Sequence, residues 1–295
     1  MMFEKVAIIG IGLLGGSLAR DLKQHGLAAC IVGVCRSDET AREAISRGIV
    51  DGVSSVAEAV KGADLIVLAT PMQSMVSVLD EASIHIDSSA IITDVGSVKT
   101  DLYAQLKSKV PEVLKQFVLA HPIAGGESSG VAASKNGLFK NKHVIVTDTD
   151  EVSEESASKI VSMWSTLGAR VKRMSLQEHD AIFAKTSHLP HVIAFSLVNF
   201  LSHQNDKERL FDLAAAGFYD FTRIASSDAE MWRDICITNR DEILIALDGF
   251  KQQIESIKRD VENSDQEAIL SYFDEAKAAR NAGLLNKAES MKNLD

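Results

Sequence analysis

The chain opens with an apolar run, Lys5–Ile9, that ends in glycine and is followed by apolar residues at helical spacing as far as about Gly26. The same alternation then recurs. Ala29–Cys35, Asp64–Ala69, Ala90–Asp94 and Phe117–Ala120 read as short buried strands. Between them, Asp38–Arg47, Val56–Lys61 and Met75–Ile84 read as helical, as does the stretch from Gly96–Lys99 to about Val110. His143–Thr147 and Ala169–Met174 are two further strands, with a helix over Glu151–Leu167 between them. Strands that are apolar throughout and separated by helices predict a mostly parallel sheet covered on both faces.

From Ser175 onward only the helical period remains. Ser175–Glu178 and Ser227–Glu230 have the spacing of capping boxes, in which a serine and a glutamate satisfy each other's free amides at a helix start. A long helix is expected from Met231 to about Glu262 and a last one over Asp265–Ala282, with a polar tail that frays. The predicted fold class is α/β, a Rossmann-type mostly parallel sheet followed by an all-α domain. The boundary falls near 172, giving 1–172 as the dinucleotide-binding domain and 173–295 as the helical one.

Composition narrows the classes. With 295 residues and 46% hydrophobic content, the chain is long enough for two domains with substantial cores. A net charge of -10, without a dense block of Lys or Arg, excludes a nucleic-acid surface and means that an anionic substrate needs dedicated local cations. Cys30, Cys35 and Cys236 are odd in number and lack CxxC spacing, so a disulfide framework and a zinc knuckle are excluded. No leader precedes the first strand, and no apolar run approaches membrane-spanning length. The expected location is the cytoplasm, with no membrane partner and no metal.

Chemistry enters at the first strand-to-helix turn, where Gly10, Gly12 and Gly15 make GxGxxG. Gly10 supplies the tight turn, Gly12 close approach to a pyrophosphate, and Gly15 close helix–strand packing. Leu13 and Leu14 begin the helix whose free N–H groups face the phosphates. Thr70 and Pro71 follow the strand Asp64–Ala69 and line the same crevice. At the end of the second strand, Arg36 and Ser37 stand where an acid would pair with a ribose 2′-OH. A guanidinium and a hydroxyl suit a 2′-phosphate, which favours NADP over NAD. Arg36 stacked on adenine in an enzyme that accepts NAD is the alternative.

Three other patches carry candidate groups: HPIAGGE at 121–127, SHLPH at 187–191 with Pro190 disturbing the helix, and GFYDFTRIA at 217–225 leading to Met231 and Trp232. Singly, each has an ordinary structural explanation, and Ser97 by itself is an N-cap.

Together, GIGLLGGS (10–17), DVGSVK (94–99), HPIAGGE, SHLPH and DFTRIA with the later MW resemble the prephenate and arogenate dehydrogenase family of tyrosine biosynthesis. The motifs lie in the family's order and span almost the whole chain. The resemblance implies oxidative decarboxylation of prephenate to 4-hydroxyphenylpyruvate, or of arogenate to tyrosine, with reduction of NAD(P). It also implies a helical second domain that makes a homodimer. As hydride leaves the carbon bearing the ring hydroxyl, a base must take the hydroxyl proton, and an imidazole with a reference pKa near about 6.5 fits, which assigns His121.

By resemblance Ser97 orients the second nitrogen of that ring and also touches the cofactor. Arg223 grips a substrate carboxylate with its planar fork. His191, Ser187, Glu127 and Trp232 are carried over as pocket residues, and His188 as packing. Gly126 and Tyr219 depart from the family pattern where other side chains would meet the substrate, so the choice between prephenate and arogenate stays open. Two rival readings remain at this point. One is another two-domain hydroxy-acid or imine dehydrogenase, for which Lys185 is the candidate helix-borne lysine; the other is a non-catalytic module that senses NADP.

Overall fold

Side chains of β1 (Phe3–Ile9) alternate between two cores, and that alternation sets the layers. Val6 and Ile8 pack with Leu18 and Leu22 of α1 (Leu13–Gln24) and with Ile160, Met163 and Trp164 of α6 (Glu154–Thr166). Ala7 and Ile9 join the opposite core with Met75, Val76 and Leu79 of α4 (Met72–Ser83) and Leu102 and Leu106 of α5 (Thr100–Lys109). Each fully buried Val, Leu or Ile contributes roughly 1.5–3 kcal/mol, so helices on both faces hold a sheet that has no solvated side.

In this computed structural model, which describes residues 1–126 and 128–292 with side chains to residue 285, six parallel strands make that sheet. Their order is β3 (Gly52–Val53), β2 (Ala28–Val34), β1, β4 (Leu65–Leu68), β5 (Ile91–Asp94) and β6 (Phe117–Val118). α2 (Asp38–Ser46) and α3 (Val56–Val60) connect β2 to β3 and β3 to β4. The strand order reverses between β1 and β4, where the carboxyl ends open the crevice that binds nucleotides in such sheets.

A second sheet, absent from the sequence expectation, holds β7 (Ala120–Pro122), β8 (His143–Asp148) and β9 (Arg170–Ser175), with β7 antiparallel and β9 parallel to β8. The single strand expected over Phe117–Ala120 therefore divides at Leu119. The reason is a change of partners: the amide of Ala120 donates to Asp94 Oδ1 at 3.0 Å, and the Leu119 carbonyl accepts from Thr147 N at 3.0 Å. This switch delivers His121 to the edge of the crevice.

After β9 the chain is helical. Ser175 caps α7 (Leu176–Phe183) by accepting from Glu178 N at 3.1 Å, as the spacing predicts. A π turn, Ala184–His188, joins α7 to α8 (Leu189–Ser202). α9 (Lys207–Asp212), α10 (Ala216–Thr222), a 3₁₀ turn over Arg223–Ser226 and α11 (Ala229–Thr238) follow. At the second box the cap is Asp228, accepting from Met231 N at 2.8 Å, rather than Ser227. The long helix expected from Met231 is interrupted at Asn239, beyond which run α12 (Arg240–Glu262) and α13 (Gln266–Lys292). The chain divides into two compact units, Met1–Ile243 and Leu244–Asp295.

One exclusion needs correction. Because the π turn keeps α7 and α8 continuous, Leu176–Ser202 forms 27 helical residues containing an 18-residue window of mean hydropathy 1.2, enough by length and composition to cross a membrane. Within that stretch, however, His179, Asp180 and His188 are buried and hydrogen-bonded to other parts of the protein.

Candidate active site

The cofactor turn is defined by what it leaves no room for. Gly10 has φ of +102°, and a Cβ there would lie 2.5 Å from the Ala69 carbonyl oxygen; at Gly15 it would lie 2.1 Å from the Gly10 carbonyl oxygen. Gly12 is the opposite case, with nothing within 4 Å of where its Cβ would stand. It is also the N-cap of α1 and supplies no side-chain acceptor, so the first amides of the helix are left to an anion. Thr70 Oγ1, just past β4, is buried without a hydrogen-bond partner. An open approach at Gly12, a helix start facing it and an orphaned hydroxyl beside it fit a dinucleotide. Leu13 and Leu14 pack on the core below, Leu13 lies 3.5 Å from the Cβ position of Gly126, and Pro71 is the N-cap of α4.

At the end of β2, Arg36 is exposed. Ser37 caps α2, accepting from Thr40 N at 3.2 Å and donating to Thr40 Oγ1 at 3.0 Å. The hydroxyl expected to meet a 2′-phosphate is thus engaged within the chain, and the guanidinium is the group that remains.

His121 sits on β7 at the centre of a polar network. Asp94, at the end of β5, is fully buried; its carboxylate accepts from the amides of Gly96 at 2.8 Å and Ala120 at 3.0 Å and pairs with the buried Lys99 ammonium. Lys99 Nζ also donates to the Ala120 carbonyl at 2.7 Å, so both backbone polar groups of Ala120, the residue before His121, are clamped. Burial pulls the Lys99 pKa down, and Asp94 opposes it.

His121 Nδ1 meets His179 Nε2 at 2.8 Å, and His179 Nδ1 meets Asp180 Oδ1 at 2.7 Å. Asp180 in turn accepts from the amides of Lys99 at 3.0 Å and Thr100 at 2.8 Å, which secures α7 to the start of α5. Phe183 packs edge-on against His121 with centroids 5.0 Å apart. Burial, then the neighbouring His179, Lys99 and His188, hold His121 well below the ordinary imidazole value. The ring is therefore neutral at neutral pH.

The π turn presents the next group. Pro190 has no N–H to give to the ladder, and the backbone before it widens into the π turn. His191 Nδ1 donates to the Ser187 carbonyl at 2.9 Å, and its ring stacks on Trp232 with centroids 3.8 Å apart. Burial lowers the His191 pKa, and the Arg223 guanidinium adds to that shift. Trp232 Nε1 is buried without a partner. Burial drives His188 down to about 4, and its Nδ1 lies 3.0 Å from Asn239 Nδ2, which also donates to the Asp180 carbonyl at 3.0 Å.

The structure thus brings His191, Ser187 and Trp232 together, with Arg223 close enough to act on His191, and sets Gly126 against the cofactor turn. Glu127 lies outside the described residues. Lys185 is exposed. One role moves: Ser97 is half-buried in the turn before α5, but the Nδ1 of His121 is held by His179 instead. Sequence reasoning missed His179, Asp180 and Asn239, and gave no task to Asp94 and Lys99 although it quoted their motif. A His–Asp pair inside an apolar helical run was the available signal.

Residues 18–173 match the prephenate dehydrogenase nucleotide-binding domain as a family, and residues 175–275 match the prephenate dehydrogenase dimerization domain. The prephenate dehydrogenase of Bacillus subtilis is 37% identical over 285 residues, 95% of this chain and 76% of that protein. The cyclohexadienyl dehydrogenase of Zymomonas mobilis is 32% identical over 282 residues, 95% of this chain and 96% of that one. Among solved structures, prephenate dehydrogenase from A. aeolicus in complex with hydroxyphenyl propionate and NAD+ aligns with a TM-score of 0.90 at 34% identity, covering 96% of this chain and 99% of that one.

Proposed function

The chain belongs to the prephenate dehydrogenase family, and from that premise we propose that it carries out NAD(P)-dependent oxidative decarboxylation of prephenate to 4-hydroxyphenylpyruvate, of arogenate to tyrosine, or of both, in tyrosine biosynthesis. The observation that carries this reading is the neutral imidazole of His121, clamped at the crevice edge with one nitrogen already engaged. The other nitrogen takes the proton of the ring hydroxyl while the ring carboxylate leaves as carbon dioxide and the ring becomes aromatic. A nicotinamide held by the glycine turn would supply the hydride acceptor.

Arg223 grips a substrate carboxylate, answering the need for a cation in an acidic chain. His191, stacked on Trp232, is joined in the pocket by Ser187 and Gly126, the family resemblance adds Glu127, and it gives Ser97 a role beside the base and the cofactor. Gly10, Gly12, Leu13, Leu14, Gly15, Thr70 and Pro71 form the dinucleotide cradle. We favour NADP because Arg36 stands where an acid selecting NAD would be.

We place the division between nucleotide-binding and helical domains near 172 and the protein in the cytoplasm. The helical part makes a homodimer, a reading supported by the exposure of Phe200, Leu213, Phe221 and Phe273, large apolar side chains of the kind an interface covers.

The test crosses prephenate and arogenate with NAD and NADP and follows the reduced-nicotinamide absorbance. His121→Ala is expected to depress kcat about 100-fold or more, and Arg223→Ala mainly to raise KM. No turnover with either acid refutes the reaction, and turnover with NAD alone removes Arg36 as a phosphate clamp.

A further inference from the structure

His179 and Asp180 belong to no motif that pointed to the reaction, yet they make a hydrogen-bonded chain ending on His121. We infer that they are positioning residues: Asp180, acting through His179, dictates which nitrogen of His121 is bare, and His179 receives the positive charge that His121 acquires. The inference rests on the reading of His121 as the base.

Asp180 accepts amide N–H bonds on both oxygens, from Lys99 on Oδ1 and from Thr100 on Oδ2. Burial raises its pKa, but hydrogen bonds from His179, Thr100 and Lys99 outweigh this and hold it below the ordinary carboxylate value. An ionised carboxylate has no proton to give, so the bond to His179 Nδ1 requires the proton on that nitrogen. His179 is itself buried, which lowers its pKa despite Asp180, so its ring is neutral at neutral pH and its Nε2 carries a lone pair. That lone pair faces His121 Nδ1 at 2.8 Å. Nδ1 of His121 must therefore hold the proton, and its Nε2 is bare.

The groups facing His121 are His179 and Phe183 from α7, Lys99 from the turn before α5 and His188 from the π turn. The three titratable ones all disfavour a proton on His121. When Nε2 takes the substrate hydroxyl proton, the O–H bond breaks and an Nε2–H bond forms. The Nδ1 proton of His121 then crosses to His179 Nε2. His121 is left neutral, and the charge rests on His179 beside Asp180, with protons and charge conserved. Without His179 the imidazolium would stay next to Lys99.

Three variants and a spectrum test this. Long-range ¹H–¹⁵N correlation of the uniformly labelled protein is expected to show His121 with its proton on Nδ1 at neutral pH. Asp180→Asn can donate to His179 Nδ1, which turns both rings over and places the proton of His121 on Nε2; kcat is expected to fall about 100-fold or more with KM little changed. His179→Leu removes the partner, with a similar loss and an altered acid limb of the kcat profile. His179→Gln keeps an acceptor for Nδ1 but no titratable ring, so the tautomer persists and kcat recovers about tenfold over the leucine variant.

The inference is overturned if the parent carries the His121 proton on Nε2, or if a folded His179→Leu keeps kcat within about threefold of the parent. The spectrum decides the tautomer even where the parent turns over neither acid, the outcome that would sink the reaction reading instead. Should His179→Leu fail to fold, the glutamine and asparagine variants carry the same comparison.

Discussion

The glycine turn at the start of α1 and the imidazole cluster around His121 face one crevice but are built on opposite principles. The turn is made by exclusion: backbone crowds the Cβ positions of Gly10 and Gly15, and only Gly12 is open. The cluster is made by inclusion. Asp94, Lys99, His179, Asp180 and His188 are all buried, and each is held by hydrogen bonds from another element. Binding a dinucleotide requires backbone amides and space, which cost little polar burial. Holding a base in one orientation requires polar groups that are expensive to desolvate unless all are satisfied.

The contrast breaks most visibly at Lys99. Lys99→Met leaves the Asp94 carboxylate buried without its counter-ion, and removal of one partner of such a pair costs about 3–5 kcal/mol. Urea unfolding should register that loss; a change below about 1 kcal/mol would mean the pair is not what holds β7 to β5.

A somewhat smaller effect is expected from acid. His188 titrates at about 4 in the folded protein against 6.5 when free, so between those values the unfolded chain binds the extra proton. Its contribution is complete above about pH 6.5 and disappears as the pH falls toward 4, amounting to roughly 3 kcal/mol. The lowered values of His121 and His179 act in the same direction. A urea midpoint that holds steady from about pH 7 to about pH 4.5 would contradict this.

The mildest change sharpens the comparison from the other side. Gly12→Ala meets no atom within 4 Å, so stability should be retained while dinucleotide affinity falls about tenfold by titration. Equal losses of stability and affinity would show that the open glycine also supports the fold.

The same division explains what the sequence made legible. The β1 strand, the glycine spacing and the Ser175 cap are local patterns, each readable within a few residues. Ser227 and Asp228 are both good caps one position apart, and nothing local chooses between them. Asn239 interrupts the expected helix where its side chain meets His188 and the Asp180 carbonyl, partners far back in the chain. The bond from His179 to His121 spans 58 positions, and the amide of Lys99 reaches Asp180 across 81. Contacts of that range leave no periodic trace, which is why the partner of His121 Nδ1 was not legible in the sequence.

The wide turn at Ala184–His188 sets the angular phase between two sets of side chains on one continuous rod. Residues before it, His179 and Asp180, address His121; residues after it, His191 above all, address Trp232. Because each helical residue advances the azimuth by about 100°, deleting one residue there would swing the whole downstream set by more than a quarter revolution. The ring stacked on Trp232 is thereby geared to the ring bonded to His121, and neither can be retuned by length changes in that helix without turning the other away.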